Sequence, residues 1–270
     1  MSPEELNRLS AWFEGHVATY RGMGGRTSDS AQLKWEHTKR VQAETELLVR
    51  DLGLPEDFRR FAVAAALLHD VGRFEQFARY QTFDDARSTD HAVLGWTILR
   101  DGKHLDWLPA KTRDLLLDAV LFHNRVRLPE ISDSRKRAVC QILRDADKLD
   151  IWGMVAADYR QHQGIPDRPF YRGLPREAGI SAGVRAAVVE GRPVDFLTVK
   201  KLNDYVVLQA GMTFDVNFAP TFRRITERDI LPVIRSVLPA GDEAVDEIFA
   251  IISLYAGRMA QQTPASLSFL

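Results

Sequence analysis

Leu67-Leu68-His69-Asp70-Val71-Gly72-Arg73 sets an imidazole beside a carboxylate at the end of an apolar run, Phe61 to Leu68, and follows them with a glycine and a base. A helix that is apolar on every side is buried, so His69 and Asp70 leave it from inside the core. A buried carboxylate is costly unless something positive holds it, and a metal ion is the simplest such partner. Further donors stand at apolar-face positions or helix ends: His37, His91, His123 and Asp147. Without a metal, these inward polar groups would each need a separate hydrogen-bond partner. Imidazole nitrogens suit manganese, iron, cobalt, nickel or zinc, whereas magnesium and calcium favour oxygen-rich cages.

Five helices must deliver these donors, after a first that runs from a Ser2 cap and Pro3 to the glycines at 22–25, with Trp12, Phe13, His16, Val17 and Tyr20 on one face. His16 finds no companion ligand and reads as a packed or hydrogen-bonded histidine. A helix over Ser30–Leu52 presents Leu33, His37, Val41, Leu48 and Leu52 inward, and one over Glu56–Leu68 carries His69 and Asp70 at its end. Phe74, Phe77, Tyr80 and Phe83 follow in a half-helical segment over the site, either as core or to stack a base. Asp84, Asp85 and Arg87 read as solvated loop residues. Ser88-Thr89-Asp90 caps the helix of His91. Lys111–Asn124 buries Leu116, Ala119, Val120 and His123. Ser134 caps a helix to Met154 with Cys140, Leu143, Asp147 and Ile151 in one stripe, leaving Asp145 and Asp150 solvent-facing or salt-bridged.

The composition is that of an ordinary soluble globular protein, and the chain length suits one large domain or one domain with a subdomain. We divide the chain into a helical metal-binding core over 1–162, a Pro/Gly-rich linker or lid over 163–180, and C-terminal helices over 181–270. The 163–180 segment gathers Arg168, Phe170, Tyr171 and Arg172 among its prolines and glycines. Helical periodicity returns over Val199–Phe214, Thr221–Val237 and Asp242–Met259, expected to complete the bundle or to build a homodimer contact. A net charge of -1 gives no argument for a nucleic-acid or membrane partner. The single cysteine, Cys140, excludes an internal disulfide and fits a reducing cytosol, and the acidic N-terminus does not read as a signal peptide.

The order His37, His69-Asp70, Asp147 resembles the HD-domain superfamily of metal-dependent phosphohydrolases over about Leu33–Ile151. Arg144-Asp145-Ala146-Asp147-Lys148-Leu149-Asp150 looks like that family's last ligand motif, with Asp147 in the ligand position. His91 and His123 look like the extra histidines of its binuclear branch. The resemblance implies an all-α bundle in which His37, His69, Asp70 and Asp147 hold a first metal. Asp70 would bridge to a second held by His91 and His123. Two divalent ions would then acidify a water that attacks a phosphate mono- or diester, nucleotide-like in class. Arg73 is the first choice for the cation that meets the phosphoryl oxygens, with Lys148 and Arg144 behind it. No Gly-Tyr-Pro motif of the cyclic-di-GMP subgroup follows. Arg73 stands where alarmone hydrolases and deoxyribonucleotide 5′-nucleotidases have glutamate, and the motif of the deoxyguanosine triphosphate hydrolases is absent. Two rivals share the ligand set: a mixed-valent di-iron oxygenase and a non-catalytic nucleotide sensor.

Overall fold

The computed structural model describes residues 1–166 and 173–262, and among them every regular element is helical. The chain divides into two compact units, Met1–Asp147 and Lys148–Ala265. The first holds α1 (Pro3–Arg21), α2 (Gly25–Asp51), α3 (Glu56–Leu68), α4 (Val71–Tyr80), α5 (His91–Asp101), α6 (Ala110–Phe122) and the start of α7 (Ser134–His162). Among the described residues no helix is long and apolar enough to cross a membrane.

α1 begins as its sequence predicts. Ser2 and Glu5 exchange side chain to backbone hydrogen bonds in a capping box, with Pro3 in the first turn. Gly24 and Gly25 have φ of +70° and +54°, so the glycine run that ends α1 also turns directly into α2, earlier than the predicted Ser30. The inward face of α2 keeps the expected His37, Val41 and Leu48 but is wider than their stripe. Ala31, His37, Thr38, Val41, Thr45 and Leu48 are buried, whereas Leu33 is 50% exposed.

α3 is the core helix, with every residue from Phe61 to Leu68 buried. It packs on α1, α2 and α6, while α4 packs on α2 and α5, and α5 on α6. The α4–α5 contact needs two glycines: a Cβ on Gly72 would lie 2.2 Å from the His91 carbonyl oxygen and 2.6 Å from the Gly95 nitrogen. Phe74 and Phe77 are core residues, and Tyr80 is exposed. Phe74 meets Phe13 edge-on. α7 starts on Asp133, not Ser134, as its cap: Asp133 Oδ1 accepts from the Lys136 amide at 2.9 Å.

The second unit contains the rest of α7, then α8 (Ala182–Val189), α9 (Leu202–Gly211), α10 (Ala219–Glu227), α11 (Ile230–Ser236) and α12 (Glu243–Ala260). α12 packs on α8, α9, α10 and α11. Buried Trp152 and Tyr159 on α7 both reach Gln209 of α9, through its carbonyl at 2.8 Å and its Oε1 at 2.6 Å. The single helix predicted over Thr221–Val237 is two, parted where Asp229 adopts φ of +54°. Of the segment read as a linker or lid, residues 167–172, including Arg168, Phe170, Tyr171 and Arg172, lie outside the described residues.

Candidate metal centre

Helix ends aim most of the donors. His69 is the C-cap of α3 and His123 the C-cap of α6. At that position the ring folds back on its own helix: His69 Nδ1 donates to the Ala66 carbonyl and His123 Nδ1 to the Val120 carbonyl, both at 2.7 Å. Each Nε2 is thereby left as a lone pair pointing inward. His91, the first residue of α5, has no helical carbonyl behind it. Its Nδ1 instead donates to Asp85 Oδ2 at 2.6 Å. His37 comes from mid-α2, and Asp147 from α7.

Asp70 stands between two pairs of imidazoles. Its Oδ2 lies 3.4 Å from His37 Nε2 and 3.6 Å from His69 Nε2. Its Oδ1 lies 3.4 Å from His91 Nε2 and 3.6 Å from His123 Nε2. The paired nitrogens stand 3.3 Å apart for His37 and His69 and 2.9 Å for His91 and His123. Asp147 Oδ1 is 3.2 Å from His37 Nε2 and 3.9 Å from His69 Nε2. Donors bound about 2.0–2.2 Å from one ion stand roughly 2.8–3.6 Å apart, and most of these spacings fall in that range. All of the predicted donors are buried except Asp147, whose side chain is 19% exposed.

Protonation matches that use. Burial pushes His69 and His91 down to about 4. Burial opposes ionisation of Asp70, but the Lys34 ammonium, first among the charges around it, holds its carboxyl well below the usual range. Asp147 is likewise held low against its burial, by the hydrogen bond and charge of His37 and then by His69. Near neutral pH the lone pairs of His69 and His91 thus stand beside the ionised carboxyl of Asp70, an arrangement that a metal cation among them would relieve.

Two groups could each hold an ion, His37 with His69 and Asp70, and Asp70 with His91 and His123; a third comprises Asp85, Asp90 and His91. The third is weakened by the other work of Asp90. Its Oδ1 caps α5 and accepts from Asn124, and its Oδ2 accepts from Arg125.

The predicted cations occupy different places. Arg73 Nη1 donates to Gln76 Oε1 at 2.8 Å, the Phe83 carbonyl at 2.5 Å and Asp85 Oδ1 at 2.9 Å. Its Nε, buried without a hydrogen bond among the described residues, stands 3.6 Å from Asp70 Oδ1. Lys148 pairs with Asp215 at 2.6 Å. Arg144 is buried, not a surface ion-pair residue, and its Nη1 caps the end of α6 through the carbonyls of Phe122, His123 and Arg125. Of the two expectations for Asp145 and Asp150, burial rules out the solvent-facing one.

Two residues of the centre escape the sequence reading. Asp85, taken there for a solvated loop residue, also accepts from Gln76 Nε2 at 2.8 Å. Against partial burial, the hydrogen bond and charge of His91 and the Arg73 guanidinium bring its carboxyl down to about 2. Lys34 places Nζ 2.7 Å from Asp70 Oδ2.

A family model described as HD domain matches residues 35–152. Comparison with curated proteins and with solved structures gives no match.

Proposed function

With residues 35–152 an HD domain, we propose that the chain is a metal-dependent phosphohydrolase acting on a phosphate mono- or diester, with nucleotide-like esters as the first class to try. The observation that carries this reading is the division of Asp70: one carboxylate oxygen faces His37 and His69, the other His91 and His123. Such a carboxylate suits a pair of neighbouring ions. His37, His69, Asp70 and Asp147 would hold the first, and Asp70, His91 and His123 the second. Bound divalent ions supply Lewis acidity and a water nucleophile near neutral pH.

The chain's own residues do the rest. Carbonyls and Asp85 accept at Nδ1 of His69, His123 and His91 and so fix the ring orientation that turns each Nε2 inward. Arg73, anchored through Nη1, holds its Nε at the Oδ1 side of Asp70, where a developing phosphoryl charge would be met. Phe74 and Phe77 belong to the core and supply no platform for a base.

The test is elemental analysis of protein purified without chelator, paired with hydrolysis of an aryl phosphate ester. About two manganese, cobalt, nickel or zinc ions per chain with turnover would support the reading. Two irons with oxygen uptake and no hydrolysis would replace it with the oxygenase. Binding of a nucleotide without turnover would replace it with the sensor, and absence of any metal would overturn it.

A further inference from the structure

Lys34 lies on α2 one turn before His37, with its side chain 18% exposed. Its ammonium contacts Asp70 Oδ2, the oxygen that faces His37 and His69. It also stands 5.4 Å from the centre of the Phe83 ring, whose face favours a cation. A protonated amine has no lone pair and cannot be a ligand. A divalent ion drawn to Oδ2 would weaken that oxygen as an acceptor and repel the ammonium beside it. An anion bound on the ions reverses this, because the ammonium then has a new acceptor within reach of its flexible stem. Arg73 lacks that freedom, since one of its nitrogens is held by Gln76, Phe83 and Asp85. Lys34 has Asp70 as its hydrogen-bond partner among the described residues.

We propose that Lys34 is a substrate-binding residue that exchanges Asp70 for a phosphoryl oxygen of a tetrahedral oxyanion when the centre holds its ions. The proposal rests on the phosphohydrolase reading and adds the residue that grips the substrate's phosphate on the His37 side.

The test compares the metal-loaded full-length protein with Lys34→Met, Lys34→Gln and Lys34→Arg. Metal content is read by elemental analysis, and binding of inorganic phosphate by calorimetry. The Met and Gln variants are expected to keep the same ions per chain and to bind phosphate about ten-fold or more weakly, the scale of a lost hydrogen bond to a charged group. The Arg variant is expected to recover most of that affinity, and the KM for an aryl phosphate should rise in step. Phosphate affinity within about twofold of the unchanged protein in both neutral variants would overturn the proposal. So would loss of the ions, which would make Lys34 a support of the empty cluster. An unchanged protein that holds its ions yet binds no phosphate would sink the phosphohydrolase reading itself. That failure appears without any substitution and is thereby separable from a failure of Lys34 alone.

Discussion

Replacing Asp85 by alanine should separate the two halves of the centre. Asp85 touches His91 at 2.6 Å and Arg73 at 2.9 Å, and it contacts none of His37, His69 and Asp147. Loss of the carboxylate behind a ligating histidine typically weakens metal affinity about 10–100-fold, or about 1.4–2.7 kcal/mol. Arg73 pushes the expectation to the upper end. Deprived of Asp85, its guanidinium keeps, among the described residues, Asp70 as its carboxylate partner, 3.6 Å from Nε to Oδ1. The bare attraction at that distance is on the order of 4–5 kcal/mol at an effective dielectric of about 20, before desolvation reduces it. An ion bound by His91 and His123 must share Oδ1 with that charge. The expected result is therefore one ion held as tightly as before and one weakened about 100-fold. Cobalt or zinc titration against a competing chelator reads both constants. His91→Ala should remove the same weak site, and Asp85→Ala added to it should have little further effect, because the two residues act through one bond. Equal weakening of both ions, or of neither, would refute the assignment of Asp85 to the second site.

Gly72→Ala sets a Cβ against the backbone of His91 and Gly95, so α4 and α5 must part; a loss of about 1–3 kcal/mol or more in urea unfolding is expected. Gly15, in α1 with nothing within 4 Å of its would-be Cβ, is the control, and Ala there should stabilise by up to about 1 kcal/mol. Burial pushes His16 from its usual 6.5 down to about 4. As pH falls through 6.5 the unfolded chain takes up a proton that the native chain refuses until about 4, so stability is lost across that window, on the order of 3 kcal/mol in full for this residue. His16→Phe should flatten the fall of the urea midpoint between pH 7 and pH 5 (about 2 kcal/mol of that loss accrues by pH 5), and an unchanged slope would show that His16 is not the group responsible.

What the sequence made legible follows from local rules. The apolar run of α3 can only be a core helix, and a His-Asp pair at its end can only emerge inside, which is where both lie. The same logic places His123 at the end of α6. On α2 the rule misled, because the search for large apolar side chains picked Leu33. Beside the expected His37, Val41 and Leu48, the helix turns its small and β-branched Ala31, Thr38 and Thr45 inward, since it packs on α1, α3 and α4 together. Lys34 was overlooked for the same reason, as a lysine near an apolar stripe ordinarily reads as solvated.

Asp85 sits in a short turn with no periodicity to betray it, yet its role had a signal of a different kind. A ligating imidazole needs an acceptor for its other nitrogen. His69 and His123, as C-caps, find one three residues back along their own helices. A histidine that opens a helix has no such carbonyl, because the chain before it is not helical. His91 is such a residue, so its acceptor had to come from the preceding loop, and that loop carries Asp84, Asp85 and Asp90. Asp90 was already committed to capping α5, and Asp84 caps the turn through the Ala86 amide. Elimination leaves Asp85, the residue whose carboxylate the structure brings to His91. The position of a histidine within its helix thus decides whether its orienting partner is written nearby as backbone or must be sought as a side chain.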